Sequence, residues 1–91
     1  MAPLYHIVIL SSNRKIFDGE VQSLVPPCEL GYFGVLANHA PMITALGPGK
    51  VTLHDQSGHG RSFDSVSGGF FEISMNKAII LLDKDVSGEV H

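Results

Sequence analysis

The chain has 91 residues, of which 44% are hydrophobic and 16% charged, with ten Gly and five Pro. Against a usual domain size of about 100–200 residues this is one domain, and the composition excludes a disordered chain, a coiled coil or a charge-rich arm. Six Lys and Arg against nine Asp and Glu leave a net charge of −3 with neither sign clustered, so the basic stripe that nucleic-acid binding needs is missing.

Residues 4–10 (LYHIVIL) form the first expected strand, ended by Ser11-Ser12-Asn13, whose short polar side chains favour a turn. A short strand at 15–17 and a turn at Asp18-Gly19 follow, then a strand at 20–25 with Val21 and Val25 on one face. Pro26-Pro27 stops it, because neither residue can donate to a ladder. Residues 28–41 read as a short strand between long, shaped loops holding Gly31 and Gly34. A strand at 42–46 runs into the turn Gly47-Pro48-Gly49. Residues 50–54 alternate strictly and return across the turn formers of 55–60 as a hairpin with 61–66. Ser67-Gly68-Gly69, explained by close backbone approach, opens a strand at 70–75, and Asn76 turns the corner into the last one, 77–82.

About nine short strands and no helix predict an all-β fold, an antiparallel β-sandwich formed by residues 1–91 as a single domain. A small barrel fits the same pattern. The lone Cys28 cannot make an intrachain disulfide and fits a reducing compartment. The run at 4–10 is far shorter than the ~20 apolar residues of a membrane span and lacks a basic leader, so neither a signal peptide nor membrane insertion is expected.

Several strands are apolar on both faces, which a sheet with one wet face does not require. In the first strand Leu4, Val8 and Leu10 oppose Tyr5, Ile7 and Ile9; residues 78–82 read AIILL; and the adjacent Phe70 and Phe71 must point opposite ways. Either loops of the same chain cover the outer side, or it is a docking wall, with Tyr5, Ile7 and Phe70 as its expected members.

No constellation for chemistry stands out. Cys28 and His39 lack a third orienting group, and His39, between Asn38 and Pro41, reads better as a loop-shaping residue. His54, Asp55 and His59 crowd one hairpin tip but fall short of a four-ligand zinc set. Neither Gly31-Tyr32-Phe33-Gly34 nor Gly58-His59-Gly60 opens a helix that would hold a phosphate. The residues alone therefore lead to a β-sandwich binding module with no catalytic residues, no metal and no cofactor.

A family resemblance takes the reading further. Phe17-Asp18-Gly19-Glu20-Val21, the run GYFGVLANHAPMITAL at 31–46, Pro48-Gly49-Lys50-Val51 and the run VSGGFFEI at 66–73 together resemble the epsilon subunit of the F-type ATP synthase, in that family's order and over nearly the whole chain. Ala37-Asn38 stands where many members have Pro-Gly. The resemblance implies a non-catalytic central-stalk subunit that binds the gamma subunit, rests on the c-ring and helps couple proton-driven rotation to ATP synthesis. It places the chain as a peripheral membrane protein on the cytoplasmic face of a bacterial plasma membrane. By position it directs Ser11, His39 and Thr44 toward gamma, and Glu29, Gly31 and Tyr32 toward the ring. Members commonly carry a helical hairpin after the sandwich; no amphipathic run follows Leu82 here, so ATP binding and helix-mediated inhibition are not expected. The alternative is an independent β-sandwich module for a ligand or another protein.

Overall fold

The computed structural model of the chain describes residues 3–12, 14–29, 31–32, 34–65, 68–83 and 89–90. All regular structure among them is strand: β1 (Tyr5–Leu10), β2 (Lys15–Val25), β3 (Pro27–Cys28), β4 (Gly31–Tyr32), β5 (Val35–Leu36), β6 (Met42–Leu46), β7 (Gly49–Asp55), β8 (Gly60–Ser65), β9 (Gly69–Ser74), β10 (Lys77–Leu82) and β11 (Glu89–Val90). The expectations for Asn13, Phe33, Val66, Ser67 and the stretch 84–88 fall outside the described residues.

The strands join in one continuous path, β11-β8-β7-β2-β1-β10-β9-β6-β3-β4, with β5 on the side of β2. The path curls over itself into two layers, and the inner faces close on Tyr5, Ile7, Ile9, Val21, Leu24, Val35, Val51, Leu53, Phe63, Phe71, Ile73 and Ile80, all buried. Removing this apolar surface from water is the main stabilising term, about 1.5–3 kcal/mol for each fully buried large side chain. The sandwich expected from the sequence is therefore present. One detail differs: β1 and β10 run parallel, with Ile7 opposite Ala78 and Leu10 opposite Leu81, and every other pair is antiparallel.

Two expectations about β2 are overturned. Asp18-Gly19 is not a turn, because β1 pairs straight through it, Val8 opposite Asp18 and Ile7 opposite Gly19; the Asp18 carboxylate accepts from Lys15 Nζ at 2.8 Å and bonds His6 Nε2 at 2.6 Å. Nor do Val21 and Val25 share the core: the register slips between Val21 and Ser23, and this bulge turns Leu24 inward instead, leaving Val25 half-buried. The bulge lets one strand pair with β1 through its first half and with β7 through its second, so β2 belongs to both layers.

The corners follow turn chemistry. Met75 and Asn76 both have positive φ, 50° and 63°, as a two-residue hairpin requires. A Cβ on Gly69 would collide with the Leu81 carbonyl and one on Gly68 with that of Leu46, so this glycine pair does permit the close approach of β9 to its neighbours. Inside, Tyr5 donates its hydroxyl to the Val35 carbonyl at 2.6 Å, tying β5 to the core, and burial raises the phenol's pKa well above its ordinary value.

Candidate interaction surface

The two outer faces of the sandwich differ. On β7 and β8 the outward positions are polar: Lys50 lies opposite Asp64, Thr52 opposite Ser62 with hydroxyls 3.3 Å apart, and Ser23 of β2 opposite His54. On β1, β10, β9 and β6 the register builds two rows. Val8, Ile79, Glu72 and Ile43 form one, and Leu10, Leu81, Phe70 and Ala45 the other. Ile43 is 69% exposed, Phe70 57%, Leu81 47% and Ile79 37%. The apolar character of Phe70 and Leu81 is thus continuous across four strands, the kind of patch a stable monomer seldom leaves open.

An exposed apolar outer face of the kind expected from the sequence is present, but its membership differs from the expected one. Tyr5 and Ile7 belong to the core and only Phe70 lies outside; both faces of β1 are greasy, so alternation alone does not say which set turns inward. Phe70 and Phe71 do part to opposite faces, one exposed and the other fully buried.

A polar border runs along the β1–β2 side. His6 sits between two carboxylates, Nε2 2.6 Å from Asp18 and Nδ1 2.9 Å from Glu20, and Lys15 completes the cluster on Asp18. Hydrogen bonds from Lys15 and then His6 lower the Asp18 pKa below its ordinary value. An apolar centre with a polar margin is the usual anatomy of a protein interface.

Of the six residues singled out by resemblance, three are brought together. Glu29, Gly31 and Tyr32 are exposed along the β3–β4 hairpin, which hangs on the end of β6 through Cys28 opposite Leu46 and the Glu29 amide donating to the Ala45 carbonyl. The Tyr32 hydroxyl accepts from the Lys50 amide at 3.2 Å, so the hairpin is also fastened to β7. The other three stand apart from it. Ser11 follows the end of β1, half-buried, its amide donating to the Arg14 carbonyl. His39 lies before the opposite end of the face, where Nδ1 donates to the Ala40 carbonyl at 2.7 Å and the adjacent Asn38 amide donates to Asn76, the loop-shaping role its setting suggested. Thr44 lies opposite the buried Phe71 and so backs the face from the inner side, half-buried, between the outward Ile43 and Ala45. Sequence reasoning did not place Ile43 or Glu72 on the surface, and it flagged the AIILL run without telling that Ile79 and Leu81 are its outward members; the register with β9 decides all four.

The residues considered for chemistry are otherwise engaged. Burial raises the Cys28 thiol above its ordinary pKa, which opposes a thiolate nucleophile. Asp55 accepts from the amides of Ser57 and His59 and so shapes its own turn. Among the described residues no group of three His, Cys, Asp or Glu is placed to hold a metal, and no helix is long and apolar enough to cross a membrane.

Comparison with known proteins agrees with this geometry. The chain is 40% identical over 84 residues to the ATP synthase epsilon chain of Dichelobacter nodosus, covering 92% of this chain and 58% of that one. It is 40% identical over 83 residues to that of Nitrosococcus oceani, covering 91% and 59%. It thus spans about six-tenths of the length of these relatives. A chain in the Euglena gracilis mitochondrial ATP synthase, OSCP/F1/c-ring, shares the fold at a TM-score of 0.81 and 20% identity over 99% of this chain and 55% of that one. One in the Tetrahymena thermophila mitochondrial ATP synthase central stalk/c-ring does so at 0.69 and 13%, over 98% and 67%. With residues 4–88 matching the model of the ATP synthase delta/epsilon chain β-sandwich domain, this chain belongs to that family.

Proposed function

We propose that this chain is a non-catalytic central-stalk subunit of a proton-translocating F-type ATP synthase, binding the gamma subunit through the outer face of β1, β10, β9 and β6 and the c-ring through the β3–β4 hairpin. The observation that carries the reading is the exposed apolar set Ile43, Ile79, Phe70 and Leu81, spread over two adjacent rows of one outer face. Covering these side chains gives a partner a large apolar gain without any rearrangement of the domain. Ser11 and His39 mark the two ends of that face, and Thr44 lies on β6 between its outward Ile43 and Ala45. Glu29, Gly31 and Tyr32 offer polar groups and backbone on an edge held from two sides, suited to the polar loops of a ring. The domain would sit at the membrane only through the complex, on the cytoplasmic face of a bacterial plasma membrane, and would transmit rotation as a rigid part while nucleotide chemistry proceeds elsewhere.

The test is co-purification of this chain with gamma and the c-ring of its own complex. A ternary assembly that is lost on Phe70→Asp supports the proposal. Retention of gamma by that variant overturns the assigned face, and failure of the unaltered chain to bind either component overturns the function.

A further inference from the structure

One residue breaks the apolar face at its centre. Glu72 lies on β9 directly between Ile43 of β6 and Ile79 of β10, two residues from Phe70 on the same side. Its side chain is exposed, and among the described residues it makes no hydrogen bond or ion pair. Lys77 shares with it a hollow of about 190 Å³, floored by Ala78 and edged by Ser74 and Ile79, yet the two form no ion pair. The other carboxylates of this side, Asp18 and Glu20, are already engaged with Lys15 and His6 at the border.

In water this carboxylate costs nothing. Under a partner that covers Ile43, Phe70 and Ile79 it would be stripped of water on all sides, and a buried carboxylate without a counter-charge is among the most unfavourable events at an interface. Lys77, on the rim of the same hollow, is not paired with it, so the compensation falls to the partner. We infer that the partner's surface is an apolar patch centred on a cationic side chain, an arginine or lysine, that seats beside Glu72 within the frame of Ile43, Phe70 and Ile79. Such a pair fixes the register of docking, because sliding by two residues along the strands sets the cation against the apolar row of Phe70 and Leu81 or beside Lys77, and leaves the carboxylate unpaired. The inference rests on the proposed role of this face and adds the chemistry of what covers it.

The experiment measures affinity for the purified gamma subunit by calorimetry, using the intact chain and its variants. Glu72→Leu separates the two kinds of partner by sign. Opposite a cation, the substitution strands that charge against an apolar surface, and affinity falls at least about 100-fold. Opposite an apolar surface, it removes the carboxylate's desolvation penalty, and affinity rises. Glu72→Gln, which keeps shape and hydrogen bonding, is expected to lose at least about tenfold and to show a weaker salt dependence than the unaltered chain. Glu72→Leu binding as tightly as the unaltered chain, or more tightly, overturns the inference. Phe70→Asp is the parallel arm. If it abolishes binding while Glu72→Leu does not, the face stands and the cation falls; if it leaves binding intact, both fall. Position 72 is exposed, so unchanged thermal unfolding confirms that each variant is folded.

Discussion

The two outer faces of this sandwich are made by the same chain with the same strand periodicity, yet one is finished for water and the other is not. On β7 and β8 the outward residues satisfy each other across the strands, Thr52 with Ser62 and Lys50 facing Asp64. On β6, β9 and β10 the equivalent positions hold Ile43, Phe70, Ile79 and Leu81. The difference teaches that strand formation and core packing do not fix what the solvent side carries. Inner positions must be apolar in both halves; outer ones are free, and where they are apolar over four adjacent strands a covering partner is the economical explanation.

The sharpest way to break the comparison is within one dipeptide. Phe71→Ala removes a fully buried ring and should lower unfolding stability by about 3–5 kcal/mol, whereas Phe70→Ala, one residue away and outside, should stay within about 0.5 kcal/mol, both read from denaturant midpoints. Equal losses would mean that the face is part of the fold's own core. In binding the order reverses: Phe70→Ala should weaken association with gamma by about 2 kcal/mol, as a central aromatic anchor does, and Thr52→Ala on the polar face should leave it unchanged in the same titration.

Smaller effects sharpen the picture of what holds the apolar side together. Tyr5→Phe leaves the Val35 carbonyl without its donor in the core, and about 1–3 kcal/mol of stability should disappear on urea unfolding. The gentlest prediction concerns pH. The Asp18 pKa is lower in the folded chain than its ordinary 3.8, so the stability it contributes is present above that value and lost as pH falls through the lower, folded one. The gap between the urea midpoints of the unaltered chain and Asp18→Asn should be steady near neutrality and shrink below about pH 4. A gap that widened on acidification would contradict the assigned partners.

Most of the strand layout was legible because each strand carries its own period and its own stops. Residues 42–46 and 77–82 emerge with the bounds read from the sequence, and of the hairpin read at 50–54 and 61–66 the first strand is a residue longer at each end and the second begins a residue earlier. What was hidden depends on distant neighbours. Asp18-Gly19 looks like a turn until β1 pairs across it, and the slip in β2 at Gln22 leaves no local mark. The parallel pairing of β1 with β10 is equally silent, since nothing in either strand names its partner. The surface was half legible: that some face was too greasy could be read from Phe70-Phe71 and AIILL, but which set faces out in β1 was decided by the layer stacked against it, and the isolation of Glu72 only by register.

The pairing of β1 with β10 joins residues near the start of the chain to residues about seventy positions later. Contacts of such long range are bought late, after loop-closure entropy has been met, and slow the folding of β proteins to about milliseconds or seconds. On the ribosome β1 can pair with β2 at once, but its other edge, on a strand greasy on both faces, waits until β10 has emerged, and the newborn chain is most vulnerable to aggregation in that interval. Under the proposed function, capture of the finished face by a partner would end a second such exposure, so prompt assembly would also protect the chain.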